Sequence, residues 1–242
     1  MTTRGTPSRA TILLFTWAAG SVDAITYLTA SVFTANMTGN AVLLAVATGQ
    51  MRSLAAVRSL IALLAFIAGV VLGALLTAKN GPGQSHAGVR RAVLVETLIL
   101  AVFAAVAMVQ WPFSPRGAIL LLIGVSGLAM GVQSATVRRL SLPGIATTYI
   151  TGTITFLFSG LVQHWSSLKG GEGAPGGQQP SPEVERSLAL QAEVFIAYTV
   201  SALITAVLHM QWASAVTVLP LAAIAIVAFT MHWRSAPVAA AP

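Results

Sequence analysis

A chain of 242 residues that is 56% hydrophobic and only 8% charged carries more apolar surface than a soluble core absorbs, since soluble domains are about a quarter charged. Its formal charge of +7 does not point to nucleic acid, because the Lys and Arg residues stand singly or in pairs at the ends of apolar stretches. The absence of cysteine excludes disulfides, thiolate metal sites and nucleophilic cysteine chemistry.

Apolar stretches bounded by charges, Gly/Pro breaks and Trp predict eight membrane segments, at 10–30, 36–50, 56–78, 91–111, 116–136, 144–165, 188–208 and 213–233. The first follows Arg4 and Arg9 and is too long, and too directly followed by further segments, to read as a cleaved signal peptide. About two thirds along it stands Asp23, a carboxyl whose insertion costs at least roughly 2.5 kcal/mol and which must therefore face protein or water. Two readings stand open for it: a proton or cation site, or a structural carboxyl bonded to hydroxyls or amides.

The second segment begins with Asn36, Thr38, Gly39 and Asn40 where a span should be apolar. A half-helix starting there would aim free N–H groups and a positive dipole end at mid-membrane, or would be capped internally by Asn36 or Thr38. Segment three carries Ala65, Gly69 and Gly73 every four residues, and segment five carries Gly127 and Gly131, faces suited to close packing within a bundle or between subunits. Between segments three and four, Lys79 to Arg91 reads as an extramembrane loop. Glu96 and Glu193 lie about one and a half turns inside their segments and read as interfacial; Gln133 reads as a polar partner across helices.

The sixth segment starts at Leu142-Pro143-Gly144 and contains Thr151, Gly152 and Thr153, again polar and interrupted. Ser166 to Ser187 reads as a Gly/Pro-rich flexible linker, and 235–242 as a disordered tail. Trp111, Trp165, Trp212 and Trp233 mark segment ends. His86, His164, His209 and His232 form no metal set with a carboxylate, so no metal or other cofactor is expected.

The chain repeats itself. Gly20 to Ala24 aligns with Gly131 to Ala135, Thr38-Gly39-Asn40 with Thr151-Gly152-Thr153, and Phe66-Ile67-Ala68 with Phe195-Ile196-Ala197, so four segments are used twice, in 1–111 and 112–242. If all eight segments cross, eight basic residues lie on the N-terminal side and five opposite. If segments two and six enter and leave by one face, Arg52, Arg58 and Arg116 stand against the other ten. The second count has the stronger positive-inside bias. It predicts an all-α polytopic membrane protein of two tandem inverted repeats, with six full spans, two short broken or re-entrant segments and cytoplasmic termini; the alternative is eight full transmembrane helices.

The blocks Gly20-Ser21-Val22-Asp23-Ala24, Phe33-Thr34-Ala35-Asn36-Met37-Thr38-Gly39-Asn40 and Gly131-Val132-Gln133-Ser134-Ala135, followed by Thr151-Gly152-Thr153, resemble the YoaK family, also labelled DUF1275, over nearly the whole chain. The resemblance implies a multi-spanning protein of the bacterial plasma membrane. Ser134 departs from it, at a position where the family often carries an amide.

Paired broken segments in two halves point to the binding site of a secondary transporter. The expected function is movement of a small solute, coupled to a proton or cation through Asp23, with Asn36, Thr38, Gly39, Asn40, Gln133, Thr151, Gly152 and Thr153 as further substrate or ion contacts. The alternatives are a channel or non-transporting scaffold and, third, a membrane-embedded enzyme, for which no Gly-x-Ser-x-Gly or His-Glu-x-x-His motif is present. The expected partners are the bilayer, a small molecule or ion and a second copy of the chain through the small-residue faces, not nucleic acid.

Overall fold

The computed structural model describes residues 8–78, 84–109, 115–140, 150–169 and 182–233, and these are mostly helical. In chain order the helices are α1 Arg9–Ala30, α2 Met37–Gly49, α3 Ser53–Thr77, α4 Gln84–Val109, α5 Pro115–Arg139, α6 Ile150–Lys169, α7 Pro182–Trp212 and α8 Val218–Trp233, with a 3₁₀ turn Ala215–Thr217 leading into α8. Six of them, α1, α3, α4, α5, α7 and α8, are long and apolar enough to cross a membrane. The two short apolar stretches are Met37–Gly49 and Gly152–Val162. At 1.5 Å per residue α2 is about 20 Å long, short of the ~30 Å hydrocarbon core.

Three boundaries depart from the sequence reading. Helix α4 starts at Gln84, so the loop expected as far as Arg91 is already helical from there; a Cβ on Gly88 would lie 2.9 Å from the Leu76 carbonyl oxygen, so this turn packs on the end of α3. The expected linker from Ser166 to Ser187 is helical up to Lys169 and again from Pro182. These extensions follow from i→i−4 bonding, which carries a helix through polar residues beyond its apolar stretch, and the single Gly88 does not stop it. Segment six begins outside the described residues, as does the tail.

Helix α1 starts on Ser8, whose hydroxyl accepts the Thr11 amide at 3.2 Å, and ends where Ser31 turns left-handed at φ 57°. It is the most buried span, and Phe15, Ala18, Ala19 and Val22 lie in a core shared with α4, α5 and α8. Leu64, Ile67, Val71 and Leu75 on α3, with Leu203 and Val207 on α7, are exposed, the surface a lipid would cover.

Helix α1 packs on α7 and α8, α5 packs on α3 and α4, α2 lies on α3, α6 lies on α7, and α4 meets α8 and α1 meets α5 across the middle. The α3–α5 crossing is backbone-close. A Cβ on Gly69 would sit 2.2 Å from the Leu128 carbonyl oxygen, and one on Gly131 2.2 Å from that of Phe66. The glycine stripes of segments three and five thus face each other inside one chain.

Helices α1 and α7 run parallel, held by Arg9 to Glu193 at one end, Tyr198 to Asp23 in the middle and Thr29 to His209, 3.3 Å, at the other. At that far end Arg58 of α3 donates to the Ala30 carbonyl at 3.3 Å, so α3 starts where α1 finishes. The excursion from Ser31 to Arg52, α2 included, therefore leaves from and returns to one end of the bundle. Helix α6 packs its Gly160 on Leu188 of α7, which puts its last turns at the Arg9 end. The two short elements lie at opposite ends.

Candidate functional site

Between α1 and α2 the chain doubles back without helical hydrogen bonds, leaving amides that cost several kcal/mol each if unpaired at membrane depth. Asp23 answers them. Its Oδ1 accepts the amides of Thr34 at 2.8 Å and Ala35 at 2.7 Å; its Oδ2 accepts that of Asn36 at 3.1 Å and the Tyr198 hydroxyl at 2.6 Å. The next turn returns the favour. Asn40 accepts the Phe33 amide at 3.0 Å and donates to the Phe33 carbonyl, while Asn36 caps α2 through the Gly39 amide at 3.3 Å. Gly39 is small because a Cβ there would meet the Phe33 ring at 3.0 Å, and that ring stacks on Tyr27 with centroids 5.0 Å apart.

Of the residues expected to form one site, Asp23, Asn36, Gly39 and Asn40 come together as fasteners of this turn, while Thr38 is exposed. Gln133 is elsewhere, on the α1–α5 contact, its Nε2 donating to the Phe15 carbonyl at 2.8 Å and its buried Oε1 without a protein partner. Thr151, Gly152 and Thr153 open α6, which packs on α7; Thr153 is buried, and the Thr151 side chain is outside the described ones.

The sequence reading placed Glu96 at the interface. The structure corrects this: because α4 begins at Gln84, Glu96 lies three turns into the helix, fully buried, with neither carboxyl oxygen hydrogen-bonded to any of the described residues. It shares a face with buried Val89, Val93, Leu100 and Phe103. That heptad-like spacing was the signal available to sequence reasoning. Tyr198 was missed for want of any local sign, since its partner is 175 positions away.

A cavity of about 340 Å³ opens at the end of the bundle where α1 finishes, between α1, α4, α5, α7 and the 3₁₀ turn. Ile25, Phe103, Ala107 and Leu122 make its apolar walls, and Thr29, His209, Ser214 and Thr217 its polar edge. Phe103 sits two turns beyond Glu96 on the same face of α4, so about 10 Å of packed side chains separate cavity and carboxyl. Among the described residues no three His, Cys, Asp or Glu side chains gather as a metal site.

The chain is similar to the UPF0700 transmembrane protein YoaK of Bacillus subtilis (strain 168), 39% identical over 140 residues, 57% of this chain and 60% of that protein. The match thus spans less than two thirds of the relative's length. No solved structure matches. The model of the protein family DUF1275, described as a protein of unknown function, matches residues 11–231, and this transmembrane chain belongs to that family.

Proposed function

We propose that this protein is a secondary transporter that moves a small solute across the bacterial plasma membrane, and that Glu96 is the group through which a proton or cation is coupled to the movement. The observation that carries the reading is a carboxyl buried in the apolar core with both oxygens unpartnered among the described residues. A charge there is expensive, so selection for stability alone would remove it; a residue that gains and loses a proton during a cycle has a reason to stay. Asp23 is a poorer coupling group, because it already holds four hydrogen bonds.

The pairing of helices supports two inverted halves. Exchanging α1–α4 with α5–α8 turns α1·α7 into α5·α3, α1·α8 into α5·α4 and α2·α3 into α6·α7, and leaves α4·α8 and α1·α5 unchanged. The counterpart of α3·α4 is the contact of α7 with the 3₁₀ turn before α8. Short elements at opposite ends suit halves related by an axis in the membrane plane, which supply two equivalent access states. With ten basic residues at the Arg9 end by this topology, both termini are cytoplasmic. In this reading the chain moves a solute and performs no covalent chemistry.

The test is uptake by proteoliposomes enclosing a pH dye, over a panel of small solutes, with wild type and Glu96→Gln. A solute that acidifies the lumen with wild type and not with the variant is the expected result. A folded wild type that moves no solute, in either orientation and with or without a proton gradient, overturns the reading in favour of a non-transporting scaffold.

A further inference from the structure

We infer that the cavity at the far end of α1 is the binding pocket for a compact, neutral, mainly apolar solute bearing one hydrogen-bonding group, an alkylphenol-like shape. The inference takes its meaning from the transport reading but rests on the pocket itself.

Size comes first. At about 340 Å³ the space lies at the small end of ligand pockets, which run from roughly 300 to 1,000 Å³, and so suits a compact molecule. Charge comes second. Among the described residues no Asp, Glu, Lys or Arg lines the space, so a phosphate, a carboxylate or an ammonium entering it would lose its hydration without a permanent countercharge. A sugar fares no better, for its several hydroxyls would face Ile25, Phe103, Ala107, Ala118, Ile119 and Leu122.

The polar edge is narrow and partly occupied. The Thr217 hydroxyl, itself buried, donates to the Ser214 carbonyl at 2.6 Å, and Thr29 Oγ1 lies 3.3 Å from His209 Nε2. That leaves the Thr29–His209 pair and the Ser214 hydroxyl able to exchange a hydrogen bond with an incoming hydroxyl. Phe103 supplies an aromatic part of the lining, which suits a flat aromatic or alkyl body.

The experiment is calorimetric titration of the full chain in nanodiscs with 4-butylphenol, butylbenzene and 4-butylbenzoate, using Ala107→Leu in identical nanodiscs to subtract partitioning into lipid. Saturable binding of 4-butylphenol to wild type, weakened at least tenfold by Ala107→Leu, is expected. Butylbenzene should bind about five- to tenfold less tightly, the worth of one hydrogen bond, and His209→Phe should erase that difference. If Ala107→Leu does not fold, Ala118→Leu fills the same space from α5. Equal heats from wild type and filled variant, or benzoate binding as well as the phenol, would overturn the inference. Binding without uptake would leave the pocket standing and remove the transport reading; uptake of other solutes with no binding here would do the reverse.

Discussion

The carboxylate of Asp23 on α1 and the phenol of Tyr198 on α7 meet at 2.6 Å, although 175 positions separate them. The same oxygen also accepts the Asn36 amide, so the contact ties the non-helical turn of one half to a spanning helix of the other. A carboxylate so placed needs all its acceptors, because each amide it releases is stranded away from water.

Asp23→Asn is therefore expected to destabilise the protein, since an amide keeps one accepting oxygen and presents donors to backbone N–H groups. Hydrogen bonds to charged groups are worth about 1.5–3 kcal/mol each, so the loss should exceed that of Tyr198→Phe, which removes a single bond. Unfolding midpoints in one detergent compare them, and a double-mutant cycle should show coupling. Additive losses would place the two residues in separate networks.

Removing the unpartnered carboxyl should have the opposite sign. Glu96→Leu is expected to leave stability unchanged or to raise it by about 1–4 kcal/mol, as when buried ionisable groups are replaced by apolar ones of similar volume, while abolishing ion-coupled uptake. A marked drop in melting temperature would mean that Glu96 has structural partners.

Glycines at the α3–α5 crossing should tolerate nothing larger. Gly69→Ala or Gly131→Ala forces a Cβ to within 2.2 Å of a carbonyl oxygen, and the helices must part at an expected cost of about 2–3 kcal/mol. Gly49→Ala, with nothing within 4 Å of the new Cβ, is the control and should be neutral or slightly stabilising. Equal effects at the three sites would contradict the close crossing.

With no native cysteine, single-cysteine labelling reads topology directly. Met51 is 93% exposed at the end of the bundle where α1 finishes, and Trp233 is exposed at the end of α8. In intact cells an impermeant maleimide should reach Met51→Cys and should reach Trp233→Cys only after permeabilisation. Protection of both until permeabilisation would mean that α2 crosses and that eight helices span.

Much of the architecture was legible because hydropathy is a property of consecutive residues. Stretches such as 56–78 and 116–136 predict helices that the structure sets at Ser53–Thr77 and Pro115–Arg139, and the polar run from Asn36 to Asn40 marks the start of the short α2. Helix starts were harder. The Gln84 start of α4 follows from bonding beyond the apolar stretch, and misplacing it by seven residues turned a core carboxyl, Glu96, into an interfacial one.

Sequence alone determined that the chain belongs in a membrane, which stretches are long enough to cross it, that the second is short and opens on polar residues, and that a carboxyl at position 23 must find partners. Tertiary structure decided who those partners are. Asp23 could satisfy a ligand or a backbone turn with the same acceptor atoms, and only the return of the chain to place Thr34, Ala35 and Asn36 against it, with Tyr198 arriving from α7, chose the turn. The converse holds for Glu96, whose isolation follows from apolar faces of other helices closing around it. A hydrogen bond is specified by two positions in space and directions to within tens of degrees, whereas a local sequence specifies only one of its ends.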